Sequence, residues 1–120
     1  MIFAFKNSSS LKSYTYLERN SSQLVIIEGM FDLLSLAALN EALLKTSDIL
    51  ILNSIAFIKD IEHHITTNKL VYLYLDNDTA GQNATQYLMN TYKHVIDQSD
   101  IYKNHKDLND LLCYEKRKEI

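Results

Sequence analysis

The chain has 120 residues, with 12 Lys and Arg against 15 Asp and Glu, one Cys, two Gly and neither Pro nor Trp. That length and a hydrophobic content of 47% suit one domain with a buried core, and the single Cys113 cannot form an internal bridge. Collagen-like, low-complexity and disulfide-scaffold classes are excluded. The net charge of −3 speaks against a surface that grips nucleic acid throughout, so any such contact must be local, metal-mediated or helped by another domain. Basic residues gather toward the ends: Lys6, Lys12 and Arg19, then Lys103, Lys106, Lys116, Arg117 and Lys118. No run reaches the roughly 18–20 apolar residues of a membrane span, and MIFAFKNSSS lacks the signal-peptide pattern. A cytoplasmic protein without membrane contact is expected.

Residues 1–22 are polar and Ser-rich, with Tyr14 and Tyr16 marking a lead-in or edge strand. Leu24 to Ile27 is a continuous apolar run ending at Glu28-Gly29, which predicts a buried strand and a turn. A Leu- and Ala-rich stretch from Asp32 to about Lys45 predicts a helix. Ile49 to Leu52 is a second strand, ending at Asn53-Ser54, and Ile55, Ile58, Ile61 and Ile65 recur at helical spacing. Leu70 to Leu75 is a third strand, ending at Asp76. Ala80, Ala84, Tyr87, Leu88 and Thr91 then mark one face of a helix. His94-Val95-Ile96 is a weaker fourth strand, and Asp107 caps a last helix from Leu108 to about Tyr114, with Asp110 at its third position. Strand–helix alternation implies an α/β domain whose mainly parallel sheet is covered on both faces. The carboxyl ends of such strands share one edge, so Glu28, Asn53-Ser54 and Asp76 become neighbours.

Glu28-Gly29-Met30-Phe31-Asp32 and Asp76-Asn77-Asp78-Thr79-Ala80-Gly81 carry the chemistry. Residues i and i+2 of an extended segment point the same way, so Asp76 and Asp78 can present their carboxylates together, with Glu28 beside them. Each pair at ~4 Å costs about 1 kcal/mol in water and roughly 4 at an effective dielectric of 20. A bridging divalent cation relieves that repulsion, and oxygen donors without nearby Cys or paired His favour Mg²⁺ or Mn²⁺ over Zn²⁺. Asp32, opening a helix, suits an N-cap as well as a ligand. The chain's two glycines, Gly29 and Gly81, each stand beside these acids, where backbone must turn or come close. An EF-hand loop starting at Asp76 fails at Ala80 and Tyr87. His63-His64 lacks a metal-ligand spacing and reads as surface or half-buried.

These two motifs, in this order and spacing, resemble the signatures of the Toprim (topoisomerase–primase) domain. The Ala80-Gly81 step and Lys106-Asp107-Leu108-Asn109-Asp110 make the resemblance greatest to bacterial primases, especially the primase-like proteins of mobile elements. It runs from about residue 23 to 113, so residues 1–22 are taken as a lead-in and 23–120 as a Toprim domain. The resemblance implies a compact α/β domain with a mainly parallel four-stranded sheet. It implies Mg²⁺-dependent nucleotidyl transfer, priming a single-stranded DNA template in replication or mobilisation alongside other proteins of those processes. Glu28 would be a ligand or general acid/base, Asp76 and Asp78 would hold Mg²⁺ or Mn²⁺, and Asp32 would support a second ion. Gly29 and Gly81 would lie at the cofactor, and Asp107 falls in a further acidic motif of primases.

Primases add a zinc-binding module and a basic template-gripping subdomain, which this sequence lacks. On that resemblance it is a catalytic core that polymerises poorly alone. Other readings are Toprim strand cleavage, for which no Tyr stands in a recognisable context, and a non-catalytic metal- or DNA-docking module. Asp76-Asn77-Asp78-Thr79 also matches the start of haloacid-dehalogenase-like phosphatases, but too little chain follows it and Glu28-Gly29 is left unexplained.

Overall fold

The computed structural model describes residues 6–7, 14–67 and 70–118; residues 1–5 and 8–13 of the expected lead-in, Lys12 among them, lie outside the described residues. Strands β1 (Lys6–Asn7), β2 (Thr15–Glu18), β3 (Gln23–Ile27), β4 (Asp48–Ile51), β5 (Leu70–Tyr74) and β6 (Val95–Asp97) form one sheet in the order β1-β2-β4-β3-β5-β6. The four expected strands, β4, β3, β5 and β6, are mutually parallel. The strand count is larger than expected because the N-terminal segment adds two antiparallel strands, β2 along β4 and β1 along β2.

The helices are α1 (Met30–Leu39), α2 (Glu41–Lys45), α3 (Glu62–Thr67), α4 (Thr79–Thr91) and α5 (Leu108–Lys118). Alternate residues of β3 point to opposite faces of the sheet. Leu24 and Ile26 join Leu50, Leu73, Ile61, Ile65 and Leu88 in one core, under α3 and α4. Val25 and Ile27 join Ile49, Ile51, Leu33, Leu36, Leu44 and Leu108 in the other, under α1, α2 and α5. All four of these β3 residues are 0% exposed, which is why the strand reads as an unbroken apolar run.

Three helix expectations need correction. The single helix from Asp32 to Lys45 is two, because Asn40 leaves helical geometry (φ −152°, ψ 73°) and its side-chain oxygen accepts the Leu43 N–H at 3.2 Å. Asn40 therefore ends α1 and caps α2. The isoleucine series from Ile55 to Ile65 spans a 3-10 turn, Ile55–Phe57, and then α3. In α4 the buried stripe is Gly81, Ala84, Thr85 and Leu88, so Ala80, Tyr87 and Thr91 of the expected face are exposed. As expected, His63 is exposed and His64 half-buried, stacked on the Tyr16 ring at 4.3 Å.

From β3 the chain crosses one face through α1 to β4; from β5 it crosses the other face through α4 to β6. β3 and β5 are neighbours with Ile27 opposite Tyr74, so the connections diverge between their carboxyl ends. Sheets of this kind open a crevice at that point. No helix among the described residues is long and apolar enough to cross a membrane.

Candidate metal centre at the diverging strand ends

Glu28 follows β3 directly and Asp76 follows β5 after Leu75, so the shared register brings them together. The Asp76 N–H donates to Glu28 Oε2 at 2.6 Å. The turn after β4 meets the same edge, with the Asn53 N–H donating to the Glu28 carbonyl at 2.8 Å. Asn53 adopts φ 65°, a left-handed conformation that Asn tolerates better than most residues. The strand-end neighbourhood expected from a parallel sheet is present.

The carboxylates that come closest are Asp32, Asp76 and Asp107, each offering one oxygen within 4.8 Å of the others. Asp32 is 6% exposed in the first turn of α1, and its Oδ1 accepts the Asn109 N–H at 3.2 Å. It is not the N-cap of α1; Gly29 is, so the capping expectation for Asp32 fails. Asp107 has two roles at once. Its Oδ1 accepts the Asp110 N–H at 2.8 Å, capping α5 as expected, and the same carboxylate is a member of the triad. Asp78 lies outside the triad as the N-cap of α4, its Oδ1 accepting the Gly81 N–H at 2.8 Å.

The two glycines differ. A Cβ on Gly81 would stand 2.1 Å from the Asp76 carbonyl oxygen, so the first turn of α4 lies against the Asp76 backbone only because residue 81 is Gly. Gly29 carries no such constraint. Its backbone is extended (φ −144°) and a Cβ there would meet nothing within 4 Å, so the protein itself does not demand glycine at this position.

Burial and mutual repulsion move the acids upward. Glu28 is raised to about 7, mainly by burial, with Asp76, Asp78 and Asp32 adding to it and the Asp76 N–H opposing. Burial and Asp107 raise Asp32 and Asp76 to about 6 each. Such groups hold protons longer in the folded chain than in the unfolded one, so they stabilise fully below about pH 4. That contribution is lost as pH rises through 6 and 7. His64 works the other way: burial and His63 lower it to about 4, so it loses stability as pH falls below 6.5. Between pH 6.5 and 8 the loss from Glu28, which titrates near 7 when folded, outweighs the remaining gain from His64, whose unfolded form titrates at 6.5. We therefore expect the metal-free melting temperature to fall over that interval, and the fall to shrink in Glu28→Gln. Calorimetric melting at several pH values checks this, and equal slopes in both proteins would refute it.

The site fits a divalent ion. Asp76 Oδ1 is enclosed by protein and has no hydrogen-bond partner among the described residues. A buried carboxylate oxygen without a donor is costly unless a proton or cation meets it. Three hard oxygen donors converge there, the chemistry that Mg²⁺ and Mn²⁺ select. A polar cavity of about 210 Å³ opens beside Asp76, lined by Asn77, Gln82, Thr85, Gln86, Asp97 and Ser99.

Fold and site together define an α/β domain that gathers carboxylates where its parallel strands diverge. Residues 25–112 match the Toprim-like family, and the chain belongs to it. It is 33% identical over 111 residues to the DNA primase of Mycoplasma genitalium, an alignment covering 89% of this chain and 18% of that protein. The chain thus spans about a fifth of the length of this curated relative. Its fold matches the primase fragment of the bacteriophage T7 primase-helicase with a TM-score of 0.65 at 17% identity, covering 84% of this chain and 44% of that one. A small Toprim-domain protein from Bacillus stearothermophilus gives a TM-score of 0.49 at 20% identity, covering 77% and 76%. The Toprim resemblance read from the two acidic motifs is borne out, and the domain is related to DNA primase.

Sequence reasoning left Asp107 equally a cap and a member of an acidic motif, named Asn77 and Asn109 only within motifs without assigning them a role, and missed Tyr102. Their contacts join residues 25–77 positions apart, and no periodicity marks them.

Proposed function

We propose that this domain is the catalytic core of a DNA primase-like protein, carrying out divalent-ion-dependent nucleotidyl transfer on a single-stranded DNA template. The observation that carries the proposal is the Asp32, Asp76 and Asp107 triad, with the donorless Asp76 Oδ1, in a Toprim-like chain related to a primase. Asp32, Asp76 and Asp107 would hold Mg²⁺ or Mn²⁺, and the exposed Asp78, which keeps one oxygen outside its cap bond, would contribute to a second ion. When bound, such ions lower the pKa of an attacking hydroxyl and offset charge on the pyrophosphate leaving group.

The chain's own residues supply the rest. Glu28, raised to about 7, is matched to taking the proton of the attacking 3′-hydroxyl near neutral pH. The Asp76 N–H fixes its carboxylate at the strand end. The polar cavity beside Asp76 offers amide and hydroxyl groups and the Asp97 carboxylate to the sugar or base of a nucleotide whose phosphates would face the ion-holding acids. Gly29, with open space around it, leaves room for that nucleotide at the start of α1. Template grip would come from further protein, since this chain carries a net charge of −3. The setting would be cytoplasmic DNA replication or the mobilisation of a mobile element.

Calorimetric titration with Mn²⁺ tests the ion site. Saturable binding is expected, weakened about 100-fold or more in Asp76→Asn, since loss even of groups that merely orient ligands costs 10–100-fold. Equal binding by both proteins would sink the proposal.

A further inference from the structure

Asp107 reaches the triad from a stretch with little regular structure. After β6 the chain makes one 3-10 turn, Ser99–Tyr102, and residues 103–107 then run without strand or helix up to α5. Something must hold that stretch in place against the repulsion between Asp107 and the carboxylates of Asp32, in the first turn of α1, and Asp76, past the end of β5. Asn77, the residue between Asp76 and Asp78, makes three contacts that do so. Its backbone N–H donates to the Lys106 carbonyl at 2.6 Å. Its side-chain nitrogen donates to the carbonyls of Tyr102 at 2.9 Å and His105 at 3.0 Å. Tyr102, 1% exposed, adds a fourth tie as its hydroxyl donates to the Leu75 carbonyl at 2.7 Å.

A primary carboxamide has two N–H donors on one nitrogen, and here each meets a backbone carbonyl. No other side chain of this size offers that pair of donors without adding charge to an already crowded acidic site. We infer that Asn77 is a positioning residue: by fastening residues 102–106 to the β5–α4 junction it places Asp107 beside Asp32 and Asp76, and so sets the ion affinity of the site. The inference rests on the divalent-ion reading given above and deepens it.

Asn77→Asp separates this role from its rivals. Asp has nearly the same shape but only acceptors when ionised, and would aim them at two carbonyl oxygens. A packing role predicts that this isosteric change is tolerated. A direct ligand role predicts tighter ion binding from the added charge. Positioning predicts weaker binding despite the added charge.

The experiment is Mn²⁺ titration of the wild-type chain, Asp76→Asn, Asn77→Asp, Asn77→Ala, Asp107→Asn and the Asn77→Ala/Asp107→Asn double variant. Backbone amide exchange is followed in parallel. Affinity should fall about tenfold or more in both Asn77 variants, the range for groups that orient metal ligands. Asn77→Ala should change affinity less than about twofold once Asp107 is Asn, because its effect passes through that carboxylate. Exchange should accelerate at residues 103–107 while the amides of β3 and β5 keep their protection, which separates a loosened loop from a failure to fold. Wild-type affinity in Asn77→Asp, an equal loss from Asn77→Ala with and without Asp107, or unchanged exchange at 103–107 would each overturn the inference while leaving the ion reading intact. A wild-type chain that takes up no Mn²⁺, or an Asp76→Asn chain that binds it equally well, removes the ion reading and this inference together.

Discussion

Primer synthesis on a single-stranded template should fall about 10²–10⁴-fold when Glu28 is replaced by Gln in the full-length protein, the range for loss of a general base. The substitution keeps the shape of the side chain and an oxygen that can still accept the Asp76 N–H, now 2.6 Å from Glu28 Oε2. The strand ends therefore stay joined while the proton acceptor disappears. Glu28 stands outside the triad of Asp32, Asp76 and Asp107, so Mn²⁺ affinity should change far less than turnover. The two measurements separate the roles left open for this residue. Lost turnover with retained Mn²⁺ binding is the signature of proton transfer. Lost binding on the scale of Asp76→Asn would make Glu28 a ligand instead, and normal primer yield in the variant would remove it from the chemistry.

Gly81→Ala should destabilise the fold by about 1–3 kcal/mol, the usual penalty for inserting a methyl into a packed position. Two effects oppose each other. Ala is favoured over Gly in a helix interior by roughly 1 kcal/mol, which would stabilise α4 if the site were open. Here the new methyl would meet Asp76 backbone oxygen at 2.1 Å, its carbonyl carbon at 3.0 Å and its nitrogen at 3.1 Å. Backbone cannot rotate aside as a side-chain end can, so the clash outweighs the propensity. The displaced residue is Asp76 itself, so Mn²⁺ affinity should drop along with the denaturation midpoint. Urea unfolding with a parallel titration checks both, and a midpoint at or above wild type would contradict the account.

The two acidic motifs are legible in the sequence because parallel topology, once recognised, dictates where strand-end residues meet. β3, β4 and β5 are legible because both sheet faces are covered, which leaves Leu24 to Ile27 and Ile49 to Leu52 without polar interruption. The break at Asn40 is hidden for the opposite reason: Leu36, Leu39 and Leu43 keep helical spacing across it while the backbone does not. The third member of the triad is only half legible, because a cap and a ligand need the same residue type and the motif that holds Asp107 suits both. Asp107 satisfies the capping pattern completely, and its approach to Asp32 and Asp76 depends on Asn77 reaching carbonyls 25 and 28 residues away. Gly29 and Gly81 look alike in sequence, and only the packing of α4 on Asp76 tells them apart.

The diverging strand ends have an electrostatic consequence beyond bringing side chains together. Three helices of 10, 13 and 11 residues, α1, α4 and α5, all begin at the acidic crevice, opening at Met30, Thr79 and Leu108. The unpaired N–H groups of a helix start amount to roughly half a positive charge each. Together they supply about one and a half, against three carboxylates in the triad. The helix starts thus offset part of the charge of the crevice, which also holds Glu28 and Asp78, and this eases folding with the acids assembled. The offset is partial, so the crevice stays net negative and holds a field that favours a cation.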